Sequence, residues 1–140
     1  MSDPLIAASR AASNGLFAQS TRMRVLSENI ANAETTGKTA GSDPYQRKTV
    51  SFQSVTDDMD GIDMVQVDNI DRDTAPFRTE YMPGHPAADG KGFVKLPNVD
   101  MLVELADMRE ASRSYTANTQ VIKRVREIVS MTLDLLRPNS

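Results

Sequence analysis

The residues able to do chemistry are few and scattered. One histidine, His85, stands between Pro83-Gly84 and Pro86. A lone imidazole cannot build a histidine-based metal cluster or act without convergent partners, and its prolines point to a stiff surface loop. The stretch Asp57-Asp58-Met59-Asp60-Gly61-Ile62-Asp63 has the acidity of a calcium loop. Its spacing fails, because a loop begun at Asp58 puts Ile62 where an oxygen ligand is needed and Asp63 where glycine is needed. A solvated turn is the simpler reading. The absence of cysteine excludes thiol nucleophiles, disulfides and thiolate metal sites. Neither a G-x-G-x-x-G nor a P-loop nor a Gly-x-Ser-x-Gly elbow occurs. The sequence therefore predicts no catalytic, cofactor-binding or metal-binding set, no small-molecule substrate and no enzyme.

The charge balance narrows the partners. With 16 basic and 19 acidic residues the net charge is −3, which offers neither a basic nucleic-acid face nor an acidic tail. Lys123, Arg124 and Arg126 interleave with Ile122, Val125 and Ile128, as on a membrane-surface helix. Glu127 and Asp134 dilute that charge, so an ordinary helix with one wet side explains it better. The apolar runs are too short to span a bilayer, so no membrane insertion is expected. Met-Ser-Asp-Pro does not open a basic-then-apolar leader, so no cleavable signal peptide is expected.

The prolines set out the elements. Pro44, Pro76, Pro83, Pro86 and Pro97 fall in the middle, leaving 5–43 and 98–137 free for long helices. Asp3-Pro4 reads as an N-cap and first helical residue. The first helix should reach about Ala33 and close at Thr35-Thr36-Gly37, with Gly37 left-handed. A second should open at Asn98 as its cap and run to about Leu136, with Pro138 just beyond. The two would be roughly 45 and 57 Å long at the α-helical rise. Between them strands are expected over Tyr45–Val55, Gly61–Ile70, Phe77–Tyr81 and Phe93–Leu96, separated by turns such as Asp60-Gly61. This gives 1–34 as an N-terminal coiled-coil helix, 35–97 as a linker and small β-rich element, and 98–140 as a C-terminal coiled-coil helix. The predicted fold is α+β, mainly α: an antiparallel coiled-coil hairpin of terminal helices with a small β insertion.

Both helices carry seams. In the first, Leu5, Ser9, Ala12, Leu16, Gln19, Met23, Leu26, Ile30 and Ala33 alternate at steps of three and four. In the second, Met101, Met108, Tyr115, Ile122, Val129 and Leu136 recur every seven residues, with Ala111 and Val125 three beyond two of them. A strict heptad keeps one stripe on one partner helix. Ile6, Phe17 and Val25 fall outside the first seam, and Val121, Ile128 and Leu135 form an extra stripe on the second. Helices apolar on several sides must be covered on several sides. A small β element cannot do that alone, so burial between molecules is expected.

The run Leu26-Ser27-Glu28-Asn29-Ile30-Ala31-Asn32-Ala33-Glu34-Thr35-Thr36-Gly37 resembles the N-terminal signature of bacterial flagellar rod and hook proteins. Pro97-Asn98-Val99-Asp100, followed by Met108-Arg109-Glu110-Ala111-Ser112-Arg113-Ser114-Tyr115-Thr116-Ala117-Asn118, is similar to the start of that family's C-terminal helix. Tyr81-Met82-Pro83-Gly84-His85-Pro86-Ala87-Ala88-Asp89, leading to Gly92-Phe93-Val94, resembles the middle of its short, proximal-rod members. Lys38 departs from the pattern, since many relatives place an aromatic after the glycine. The resemblance implies a structural subunit of the basal-body rod, the drive shaft that spans the periplasm and transmits torque. It implies polymerisation through the terminal helices with copies of itself and other flagellar rod proteins, and passage through the flagellar type III export apparatus. The residues expected at subunit interfaces are Leu16, Met23, Leu26, Asn29, Ile30, Asn32, Met108, Ala111, Tyr115, Asn118, Ile122, Val125, Val129 and Leu136. Asn29 and Asn32 could fix register across helices or merely cap the helix end. Another short rod-like axial protein of the family, or a non-enzymatic helical adaptor, would share these seams.

Overall fold

A computed structural model describes residues 3–58 and 61–137. Among them two helices and four strands follow the order α1 (Pro4–Ala31), β1 (Lys48–Thr56), β2 (Asp63–Arg72), β3 (Arg78–Tyr81), β4 (Phe93–Leu96) and α2 (Met101–Leu136). The class is α+β, mainly α, with helices of 28 and 36 residues.

Local chemistry fixes the helix ends. Asp3 accepts the Leu5 N–H at 2.9 Å, and Pro4 follows where a missing N–H costs nothing. At the other end Asn32 closes α1, its side-chain amide folding back onto the Glu28 carbonyl at 2.8 Å. Gly37 is therefore not the terminator that the sequence suggested. It does not take positive φ, and a Cβ there would lie 2.2 Å from the Ser42 hydroxyl. The cap of α2 is Asp100 rather than Asn98. The Asp100 carboxylate accepts the Leu102 and Val103 N–H groups at 2.9 and 3.3 Å, where negative charge suits the helix dipole. Asn98 stitches loops instead, accepting the Arg47 N–H and donating to the Asp73 and Ala75 carbonyls. Pro138 and Asp60, both expected to mark element ends, lie outside the described residues.

The helices pack antiparallel. Asn29 meets Glu104, Arg22 meets Asp107 and Glu110, Gly15 abuts Asn118, and Leu5 and Ser9 share a groove with Val125 and Val129. The strands form two separate antiparallel pairs, β1 with β2 and β3 with β4, rather than one small sheet. Hairpin β1–β2 lies along the flank of α1. Lys48 sits by Asn29 at one end, Met64 receives the Asn14 amide further on, and Asp57 pairs with Arg10 near the tip. Between Ser51 and Phe52 the register shifts, leaving Asp68 as a bulge without a partner across the ladder. Val25 is covered in this way within the chain, at 1% exposure, a burial worth about 1.5–3 kcal/mol. Hairpin β3–β4 carries Val94 and Ala87 inward and closes with Tyr81 edge-on to Phe93 at 5.3 Å. Gly92 has φ of +86° there, and a Cβ would meet the Tyr81 ring at 2.9 Å.

Candidate assembly surfaces and the polar junction behind them

Small and polar side chains make the named contacts between the helices, Gly15 with Asn118, Asn29 with Glu104, and Arg22 with Asp107 and Glu110. The buried positions are Ala7, Ala12, Gly15, Ala18, Val25, Leu26 and Asn29 on α1, and Glu104 and Ala111 on α2. Gly15 permits close approach to α2, since an added Cβ would lie 2.6 Å from the Asn118 side-chain nitrogen. Gln19 is also drawn in, and among the described residues its side-chain oxygen is a buried acceptor without a partner. Many large apolar residues of the two helices are exposed. Phe17 is 69% exposed, and Ile6, Leu102, Leu105, Val121, Ile128, Met131, Leu133 and Leu135 are also open.

The positions expected at interfaces divide accordingly. Leu26, Asn29 and Ala111 are buried within the chain. Leu16, Met23, Ile30, Asn32, Met108, Asn118, Ile122 and Val125 are half-covered, whereas Tyr115, Val129 and Leu136 are exposed. Of the stripe set apart from the first seam, Val25 is buried while Ile6 and Phe17 are not. The two asparagines also part company, Asn32 acting as a cap and Asn29 as a bridge.

Asn29 uses every hydrogen-bonding valence it has. Its amide nitrogen donates to the Lys48 carbonyl at 2.8 Å and to a Glu104 carboxylate oxygen at 3.0 Å. Its oxygen accepts the Tyr45 hydroxyl at 2.8 Å and the Lys48 N–H at 2.9 Å. Glu104, wholly buried, takes the Arg47 guanidinium on its other oxygen at 2.5 Å, and Arg47 continues to Asp73 at 3.2 Å. One cluster thus ties α1, β1, α2 and the segment after β2. Its ionisation follows from the geometry. Burial alone draws the Arg47 guanidinium down, but Glu104 and then Asp73 outweigh it and hold Arg47 above its ordinary value. Burial, reinforced by the charges of Glu28 and Glu104, pushes the Tyr45 hydroxyl up. The Ala75 N–H and, against some burial, Arg47 hold Asp73 below the usual carboxylate range.

Sequence reasoning missed this junction because a carboxylate in the first turn of a helix, where Glu104 stands, is ordinarily explained by the helix dipole alone. The available signal was its position: Glu104, Ala111, Asn118 and Val125 form a seven-residue track, and a carboxylate on such a track demands a partner. His85 contributes a turn, its Nδ1 accepting the Ala87 N–H at 3.1 Å. Among the described residues no three His, Asp or Glu side chains converge as a metal site, and no helix is long and apolar enough to cross a membrane.

Two family models match the helical ends. Residues 10–37 match the model described as flagella basal body rod protein, and residues 91–135 match that of the flagellar basal body rod FlgEFG protein C-terminal region. Full-length relatives extend the likeness across the middle. The flagellar basal-body rod protein FlgC of Agrobacterium fabrum is 56% identical over 135 residues, 96% of this chain and 97% of its own. The chain belongs to the FlgC family of flagellar basal-body rod proteins. The Escherichia coli relative of the same name is 40% identical, covering 89% of this chain and 92% of its own. That of Bacillus subtilis is 34% identical over 87% and 91%. The rod subunit's two helical motifs thus fall inside the family-model segments, and its Tyr81–Gly92 motif lies in the stretch that the full-length relatives span. The chain is a structural subunit of the basal-body rod.

Proposed function

We propose that the subunit polymerises through α1 and α2, paired as a coiled-coil hairpin and packed against the same helices of its neighbours, to form the proximal part of the torque-transmitting shaft. One observation carries this reading. The side chains buried along both helices are mostly small or polar, while many large apolar side chains of both are left exposed. A self-sufficient domain would reverse that distribution. Covering the outer stripes with helices of other subunits would turn many exposed side chains into close-packed contacts, which deform little under torsion. The interface residues would then be the half-covered and exposed members of the seams together with Phe17, Val121 and Ile128. Partners would be copies of the chain and other rod proteins, and delivery would be through the flagellar export apparatus without cleavage of a leader.

Val121→Asp and Ile128→Asp test this. Both side chains are well exposed in the single chain, so its own stability should move by no more than about 0.5 kcal/mol. In the assembled shaft each carboxylate would be buried without a partner, and rods and swimming should be lost. Intact rods purified from cells carrying both substitutions would refute the assignment of that stripe to an interface.

A further inference from the structure

The helical hairpin is longer on one side than on the other. The register that sets Asn29 beside Glu104 and Gly15 beside Asn118 brings Pro4 opposite residue 129, yet α2 continues to Leu136. Its last two turns therefore project about 10 Å past the start of α1. This projection carries Met131, Leu133, Leu135 and Leu136, with Leu135 at 87% exposure. Arg137 follows at its tip, with an Asp134 oxygen 3.7 Å away.

The opposite pole, where α1 ends and α2 begins, holds a groove of about 440 Å³. Ala33, Pro76, Val99 and Leu102 give it an apolar floor, and Leu102 is 78% exposed. Glu34 and Asp100 supply acid at the rim, and Arg78 lies beside them. The guanidinium of Arg78 makes two long contacts, 3.3 Å to the Pro97 carbonyl and 3.4 Å to that of Ala33. A guanidinium has five N–H donors in all.

We propose that this groove receives the C-terminal end of the last helix of another rod subunit, an apolar helix end tipped by a cation, as on this chain's own α2. The proposal rests on the reading of the chain as an assembling subunit and adds direction to it. The leucines of the incoming end meet the apolar floor, and its terminal arginine meets Glu34. The last carbonyls of any α-helix lack donors of their own, and Arg78 is placed to supply them. Like poles do not fit each other, because pairing two grooves sets Glu34 and Asp100 against their counterparts. Complementary surfaces at opposite poles of one elongated molecule make a heterologous contact, which stacks subunits end to end without closing.

The chain has no cysteine, so introduced thiols report this contact without background. Leu102→Cys and Leu135→Cys both alter exposed side chains and leave the fold in place. Under mild oxidation the two variants mixed should yield a disulfide-linked dimer, each alone should not, and a chain carrying both should give a ladder of higher multimers. Adding Glu34→Lys to the Leu102→Cys chain should cut the yield about two- to fivefold. Self-linking of Leu102→Cys as readily as the mixed pair would overturn the end-to-end contact. So would preferential linking of Leu135→Cys to Val121→Cys or Phe17→Cys chains, although that side-by-side result would leave polymerisation through the helices standing. If no pair links at any concentration, end-to-end and side-by-side alike, both the contact and the assembly reading fall.

Discussion

Replacing Arg47 with methionine strands the buried Glu104 carboxylate. That carboxylate is fully enclosed, keeps the Asn29 amide on one oxygen, and loses the Arg47 cation on the other. Removing one partner of a buried pair costs about 3–5 kcal/mol, far more than losing an exposed one. The upper part of that range fits here, since Arg47 also holds Asp73. Glu104→Leu in the same chain removes the stranded charge, and Asn29 still donates to the Lys48 carbonyl. The double variant should therefore recover most of the loss and sit within about 1–2 kcal/mol of the parent. Urea unfolding of the purified chain, followed by helical circular dichroism, measures all four corners of the cycle. The sign of the coupling decides the matter. A double variant as unstable as the sum of the singles, or an Arg47→Met cost below about 1 kcal/mol, would show that Glu104 is not the enclosed partner its geometry indicates.

Gly15→Ala should gain about 1 kcal/mol of helix propensity and lose about 1–3 kcal/mol to the clash with Asn118, for a net fall in melting temperature that Asn118→Ser relieves. Gln19→Met removes a buried acceptor without a partner and should raise stability by about 1 kcal/mol, read from the same urea midpoint. Asp73 has a folded-state pKa below its unfolded value, so its contribution is complete above the ordinary carboxylate range and fades as pH falls through the lower, folded value. Asp73→Asn should accordingly lower the urea midpoint at neutral pH and flatten its decline below about pH 4. An unchanged acid limb in that variant would count against the Ala75 and Arg47 contacts as its cause.

The helices were legible because their signals are local. A proline-free span, Asp3 before Pro4 and the heptad from Met101 onward needed no knowledge of the rest of the chain. The facing of α1 was harder to read. The three-and-four spacing set Leu16 and Met23 in one seam with Ala12 and Leu26; the chain buries Ala12 and Leu26, packs Gly15 and Ala18 inward beside them, and leaves Leu16 and Met23 half-covered. Two apolar stripes on one helix look alike in sequence when both are to be covered, and only close approach favours the smaller one. The strands were recognisable from their Val, Thr and Phe content, but their division into two separate pairs depends on long-range pairing that alternation does not encode. The Asn29–Glu104–Arg47 junction joins residues up to 75 positions apart, and Arg47 lies in a stretch read simply as strand. Charge pattern alone could not have brought them together.

Hairpin β1–β2 is fastened to α1 at both of its ends, through Lys48 at Asn29 and Asp57 at Arg10, with Met64 and Asn14 between. A ribbon held at one end peels away, each bond bearing the whole force in turn. Fixed at both ends, it can only slide, and sliding strains all the attachments together. In a turning shaft, twist acts as such a sliding load between neighbouring elements. The hairpin then behaves as a batten nailed along a beam, stiffening α1 over most of its length.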